Sequence, residues 1–276
     1  MEAKEPSEFL GRIVHAKRLE LTASRLRVPQ TELEKSVQGR SPGIFRQSLL
    51  GRTGEQPECA IIAEIKKASP SRGVLCKDFR PAEIARGYRK AGARALSVLT
   101  DEQFFQGSLD DLKQAKAASS LPVLRKDFTL AEYHLYEAAA AGADAVLLIA
   151  AILGPTDLGR FIVLAGELGL DALVEVHNAE ELLAAIDAGA KMIGINNRDL
   201  RTFEVTLETS LRLVDSIPDD AVAISESGLR TAEDLRRLRA AGFDAFLIGE
   251  RFMTEKDPGA ALERLLVEVA ATAAMG

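Results

Sequence analysis

The chain has 276 residues, of which 47% are hydrophobic and 28% charged, enough apolar material for a large core and enough charge for a wet surface. A formal net charge of −6 excludes the basic stripe with which proteins track nucleic-acid phosphates, so any anionic ligand has to be met by local design. Cys59 and Cys76, in no CxxC pattern, indicate neither a disulfide framework nor a zinc site, and no apolar run reaches the 18 residues of a membrane span.

From the N-terminus, "MEAKEPSEFLGRIVHAKRLEL" lacks the uninterrupted apolar stretch of a secretion signal. Phe9, Leu10, Ile13 and Val14 recur at helical spacing behind Ser7, a candidate N-cap, which predicts an amphipathic helix lying against the rest of the protein. Residues 1–57 are read as an N-terminal helical extension packing on a domain of residues 58–276. Two reduced thiols fit a cytoplasmic location.

A hidden period organises the rest of the chain. "KAGARALSVL" at 90, "AAGADAVLLI" at 140, "ELGLDALVEV" at 167, "DAGAKMIGIN" at 187 and "AAGFDAFLIG" at 240 are each a helix end, a glycine, and an apolar run too short for a helix. Gly92, Gly142, Gly169, Gly189 and Gly242 fit the left-handed position that stops a helix, where a Cβ costs energy. The unit is about 25 residues long, and two further junctions use Pro122 and Pro218 in place of glycine. With "CAIIAEIKK" at 59, the strands fall near 60–66, 95–100, 122–126, 145–150, 172–176, 192–196, 221–225 and 245–248. Apolar strands alternating eight times with helices predict an α/β protein of the (β/α)8 TIM-barrel class. An open doubly wound sheet is the alternative, but no G-x-G-x-x-G turn follows the first strand.

Active sites of such barrels lie at the C-terminal ends of the strands, so the polar residue closing each apolar run is a candidate. The first strand offers Glu64 and Lys66, which share parity and hence one face. The third ends in Arg125 and Lys126, the fifth in Glu175 and His177, the sixth in Asn196, Asn197 and Arg198, and the seventh in Ser225, Glu226 and Ser227. The fourth, "AVLLIAAIL", supplies an apolar wall, so ions and grease converge as in a site for an organic substrate. Burial is expected to bring a lysine down and a carboxylate up in pKa, which suits Lys126 as acid and Glu175 as base. His15 and His134 fall in helical patterns and His177 lacks a partner at ligand spacing, so no metal is expected.

The last two strand ends suggest a phosphate cradle. "SESGLRTAED" turns through Ser227 and Gly228 into a helix begun by Thr231, whose spacing to Asp234 is that of a capping box, and "FLIGERF" turns through Gly249. Glycines there allow backbone N–H groups close to an anion, with Arg198 as a fixed cation.

The segments "IIAEIKKASPSRG" at 61, "LSVLTDEQFFQGS" at 96, "LPVLRKDF" at 121, "ALVEVH" at 172, "IGINNRDL" at 193, "ISESGL" at 224 and "FLIGE" at 246 resemble, in order, those of the indole-3-glycerol phosphate synthase family. The resemblance implies a cofactor-free, decarboxylating ring closure of a small phosphorylated substrate; charge and the lack of a long apolar run already set aside nucleic-acid and membrane partners, and a monomer or homodimer is expected. It also implies Lys126 as general acid, Glu175 as base, and Glu64 and Asn196 as positioning groups for substrate hydroxyls and for Lys126. By the same likeness Lys66 and Ser69 hold anionic parts of the substrate, Phe105 and Phe128 pack on its aromatic ring, and Arg198, Ser227, Gly228 and Gly249 bind phosphate. After Gly249 some relatives have a serine, whereas Glu250 stands here and is assigned no phosphate role. On parity, Lys126 enters the pocket, while Arg125 and Asp127 point into the surrounding layer as structural ions. Phosphoribosylanthranilate isomerase is a rival on the same fold, but it lacks the extension and uses a cysteine and an aspartate. A non-catalytic phosphate-binding barrel is the rival of another class.

Overall fold

The computed structural model describes residues 8–37, 43–50 and 59–273. The Ser7 cap and the boundary at 57/58 lie outside the described residues. Eight strands run β1 Ala60–Ile65, β2 Ala95–Leu99, β3 Val123–Lys126, β4 Ala145–Ile149, β5 Asp171–Val176, β6 Met192–Asn196, β7 Val222–Glu226 and β8 Ala245–Ile248. They pair in parallel with their sequence neighbours, and β8 returns to β1 to close the barrel. Helices occupy each interval, from Pro81–Ala91 to the last, Pro258–Ala273, so the (β/α)8 architecture holds and the open sheet is excluded.

The junction chemistry explains why boundaries are readable. All five junction glycines have positive φ, between 70° and 111°. At Gly92 the N–H returns to the carbonyls of Tyr88 and Arg89, ending the helix. At the junction that carries Pro122 in place of glycine, the left-handed site is held by Ser120, at φ 58°. A two-stranded hairpin, Ala68–Ser69 with Gly73–Val74, escapes sequence reading, because two residues a side leave no periodicity to detect.

Period-two alternation splits each strand between two cores. Ile62, Leu124, Leu147, Leu173, Met192, Ile224 and Leu247 fill the barrel, while Ile61, Val98, Val123, Leu148, Val174, Ile193 and Phe246 pack under the helices. Among the described residues three helices precede the barrel: α1 Glu8–Arg27, α2 Gln30–Ser36 and α3 Ile44–Leu50. The third closes the N-terminal end, driving Phe45 and Leu49 into the inner core. The phase of β3 is pinned at its start: the Val123 N–H donates to Asp144 Oδ2 at 2.8 Å, and the Asp144 N–H returns to the Val123 carbonyl at 2.8 Å.

α1 lies on the other end. Leu10 and Ile13 are buried on it and Val14 is half-buried. Lys17, only 1% exposed, reaches Asp127 at 2.8 Å, Asp101 at 3.0 Å and Glu20 at 2.8 Å. The Tyr133 hydroxyl lies 3.1 Å and 3.0 Å from the carbonyls of Ser24 and Val28, fixing the end of α1.

Candidate active site

The inward parity that fills the barrel with Ile62, Leu124, Leu173 and Ile224 continues, one step further along, into Glu64, Lys126, Glu175 and Glu226. The apolar floor therefore gives way to charge at one level of the barrel. Lys126 Nζ donates to Glu175 Oε2 at 2.7 Å and to Glu226 Oε2 at 2.9 Å, and all three side chains are largely buried. Glu64 pairs with Lys66 at 2.6 Å, as their shared parity requires. Asn196 Oδ1 accepts the Arg198 N–H at 3.0 Å, shaping the turn out of β6. The hydrogen-bond partners of Lys126 are thus Glu175 and Glu226 in place of the expected Glu64 and Asn196. Glu226 stands at the level of Asn196 on the neighbouring strand, and both share the inward face.

Two glycines make room for these carboxylates. A Cβ on Gly194 would stand 2.1 Å from Glu226 Oε1, and one on Gly249 would stand 2.2 Å from Glu64 Oε1. Small residues on the inner face are as much part of the site as the ions they admit.

The electrostatics correct the expectation that burial brings Lys126 down and Glu175 up. Burial does oppose the charge on Lys126, but Glu175, Glu226 and Glu64 outweigh it, and the ammonium is held above its usual range. Burial likewise opposes ionisation of Glu175, but Lys126 and then His177 hold it well below the usual carboxylate range. The carboxyl of this cluster that is raised is Glu226, pushed up to about 7 by burial and by the charges of Glu175 and Glu64, which Lys126 only partly offsets. His177, past the end of β5, has its Nδ1 2.9 Å from Glu181 Oε2 and its Nε2 3.4 Å from Glu175 Oε1. Burial lowers its pKa, but the two glutamates overcome this and raise it to about 10, so the ring is an imidazolium at neutral pH.

A cavity of about 510 Å³ opens over this cluster, within the size range of small-molecule sites. Its border includes Glu64, Lys66, Ser69, Phe105, Lys126, Phe128, Glu175, Asn196, Arg198, Ser227, Gly228 and Gly249. All the residues singled out by resemblance therefore meet in one place. Leu147 and Ile149 supply the apolar wall, and Phe105 and Phe128 stand with ring centroids 6.3 Å apart, tilted by 37°. At the far end Ser227 and Gly228 are consecutive left-handed residues, φ 66° and 79°, and a Cβ on Gly228 would meet Val205 Cγ1 at 2.5 Å. The helix after them begins with the Thr231–Asp234 capping box. Glu250 has its own task, lying 3.1 Å from Arg72 Nε and 3.5 Å from Arg198 Nη2.

Sequence reading places Glu226 at a strand end but gives it no role, although its parity with Ile224 is plain in "ISESGL". It also misses Arg72, and the start of α1, whose Phe9, Leu10 and Ile13 border the cavity. No local signal ties a helix so far upstream to the barrel mouth. Arg125 and Asp127 do point outward. Arg125 bonds Thr100 Oγ1 at 3.1 Å, the His134 carbonyl at 3.1 Å, Asp127 at 3.1 Å and Glu137 at 2.7 Å, and Asp127 completes the network to Lys17. Of this network sequence reading names only Arg125 and Asp127, and misses Lys17, Thr100 and Glu137.

Comparison with known proteins shows the family of the chain. Residues 10–265 match the family model described as indole-3-glycerol phosphate synthase. A protein of that name from Albidiferax ferrireducens is 49% identical over 261 residues, covering 94% of this chain and 98% of its own. One from Desulfosudis oleivorans is 48% identical over 260 residues, covering 94% and 99%. Among solved structures, 3-hexulose-6-phosphate synthase from Salmonella typhimurium superposes with a TM-score of 0.61 at 12% identity, covering 77% of this chain and 99% of its own, a likeness of fold alone.

Proposed function

The chain belongs to the indole-3-glycerol phosphate synthase family, and on that footing we propose how its residues divide the work of the reaction. The enzyme is a carboxy-lyase of tryptophan biosynthesis that turns 1-(2-carboxyphenylamino)-1-deoxyribulose 5-phosphate into indole-3-glycerol phosphate, carbon dioxide and water. The observation that carries the assignment of roles is Lys126 shared between Glu175 at 2.7 Å and Glu226 at 2.9 Å on the floor of the cavity.

Lys126 is the general acid. Its proton goes to the ketone oxygen as the ring carbon bearing the carboxylate attacks the ketone carbon. The carbon–carbon bond to the carboxylate then breaks, carbon dioxide leaves, and the electron pair restores the aromatic ring. The new hydroxyl departs as water with a second proton, and Glu175 takes the proton given up by the neighbouring ring methylene. Ring closure, decarboxylation and dehydration together involve no net oxidation or reduction, and the proton transfers they need are within reach of side chains, so no cofactor is required. Glu226 holds the ammonium from its second side. Glu64 and Asn196 position substrate hydroxyls. Lys66 and Ser69 receive anionic parts of the substrate, and the Ser69 hydroxyl is buried without a hydrogen-bond partner among the described residues. Phe105 and Phe128 pack on the anthranilate ring, and Arg198, Ser227, Gly228 and Gly249 receive the phosphate.

We further assign the chain a cytoplasmic, monomeric or homodimeric existence. In the described residues no helix is long and apolar enough to cross a membrane. The test of the roles is a fluorescence time course of indole product for the wild type beside Lys126→Ala. Turnover by the wild type with a loss of about 10²-fold or more in the variant is expected of a general acid. A variant within a few fold of wild type would overturn the assignment.

A further inference from the structure

The reaction needs more protons than Lys126 carries. One goes to the ketone oxygen and a second leaves with the hydroxyl as water, while the ring methylene returns only one. The substrate carboxylate departs as neutral carbon dioxide, so each turnover draws one net proton from solvent. Between ring closure and dehydration Lys126 is a neutral amine and must be reloaded inside a largely buried cluster.

We propose that His177 stores this second proton and delivers it to Lys126 through Glu175. The proposal rests on the roles given above to Lys126 and Glu175. The two oxygens of Glu175 face different partners: Oε2 lies 2.7 Å from Lys126 Nζ, and Oε1 lies 3.4 Å from His177 Nε2. Nε2 is buried and has no hydrogen-bond partner among the described residues, so the nearest group able to take its proton is that carboxylate. The opposite edge of the ring is fixed. Glu181 Oε2 lies 2.9 Å from Nδ1 and also accepts the His177 backbone N–H at 2.8 Å, while Oε1 accepts from Asn178 Nδ2 at 2.7 Å. A ring hydrogen-bonded at one nitrogen and facing only the Glu175 carboxylate, at 3.4 Å, from the other is oriented to act in one direction.

The transfer balances. The Nε2–H electron pair stays on the ring, and the proton passes to Glu175 Oε1. A half-turn of the carboxyl about its Cγ–Cδ bond then carries it to the free pair on Lys126 Nζ. Once Lys126 has been reloaded after dehydration, the ammonium disfavours a proton on Glu175, which gives up the methylene proton it holds to Nε2 by the same route. The proton that reloads Lys126 is the net one from solvent, entering through the cavity. Direction follows from charge: while Lys126 is an ammonium it holds Glu175 ionised, and once it has given up its proton Glu175 becomes a better acceptor. Among the described residues the charged groups facing the ring include Glu175 from β5, Glu181 from the following helix and Asp199 from the loop after β6, all anionic and all favouring the loaded form. His177 acts through Glu175 and does not touch the substrate.

The experiment compares wild type, His177→Asn and Glu181→Gln by rapid quench, following carbon dioxide and indole product separately. Wild type that makes no indole product would refute the assigned activity, a failure distinct from that of the store. With the wild type active, His177→Asn should release its first carbon dioxide at the wild-type rate while product lags by about 10²-fold. KM should be unchanged, and added imidazole should relieve the lag in a saturating manner. Glu181→Gln, which keeps the ring but removes its anion, should move the high-pH limb of kcat to lower pH. Product in step with carbon dioxide in His177→Asn would overturn the proposal. So would a loss that imidazole does not relieve and that appears in KM, the mark of a purely structural ring. Unlagged product in His177→Asn together with a wild-type kcat falling above pH 7 would transfer the store to Glu226.

Discussion

Replacing Lys17 by methionine should destabilise the protein far more than an ordinary surface charge would. The ammonium lies within 3.0 Å of three carboxylates, and two of these, Asp101 and Asp127, are buried with it at 1% and 4% side-chain exposure. Asp127 would keep Arg125 and Thr100, but Asp101 Oδ2 has no further hydrogen-bond partner among the described residues and would be left as a buried, unneutralised oxygen. Breaking a buried pair in this way costs about 3–5 kcal/mol. That is a large part of the roughly 5–15 kcal/mol typical of folded domains. Glu20, the third partner, is 37% exposed, and Glu20→Gln should cost no more than about 1 kcal/mol. Urea unfolding at pH 7 followed by circular dichroism measures both variants. A Lys17→Met loss below about 1 kcal/mol, or one equal to that of Glu20→Gln, would refute the reading of this cluster as the clasp between α1 and the barrel.

Gly194→Ala should fold yet turn over slowly: its methyl group would meet Glu226 Oε1 at 2.1 Å, and that carboxylate would have to leave Lys126. A fall in kcat of about tenfold or more, as for one lost charge-assisted hydrogen bond, is expected with a modest drop in Tm. An unchanged kcat would show that Glu226 is dispensable. His134 is buried and neutral, its Nδ1 accepting the Leu130 N–H at 3.1 Å, and burial beside Arg125 lowers its pKa to about 3. The unfolded chain therefore binds the proton first, and stability should fall as pH drops from about 6.5 towards 3. His134→Gln should flatten that slope in urea titrations at stepped pH, and an identical slope would contradict the burial of a neutral ring.

The barrel is legible because its repeat is written twice, in glycine at five of the helix ends and in apolar runs too short to be helices. Each expected strand end lies within one residue of the observed one. Parity alone sends Lys126 inward and Arg125 outward. What parity cannot supply is distance. Whether burial or a neighbouring ion governs Lys126 depends on carboxylates 2.7 Å and 2.9 Å away on strands 49 and 100 residues later, and the composition of one strand does not contain them. Lys17 is invisible for the same reason, as a lysine among helical residues whose partners come from the ends of β2 and β3. Glu226 shares the inward parity of Ile224, but nothing in "ISESGL" shows that a lysine 100 residues upstream lies 2.9 Å from it.

β3 carries two scripts on alternate letters. Lys126 belongs to the chemistry, and Arg125 and Asp127 belong to the clasp that holds α1. A slip of a single residue would exchange them, placing a guanidinium in the pocket and an ammonium in the clasp, and both halves of the protein would fail together. What prevents the slip is the reciprocal pair between Val123 and Asp144 at the opposite end of the strand. An aspartate that never meets the substrate thus keeps time for the residue that does.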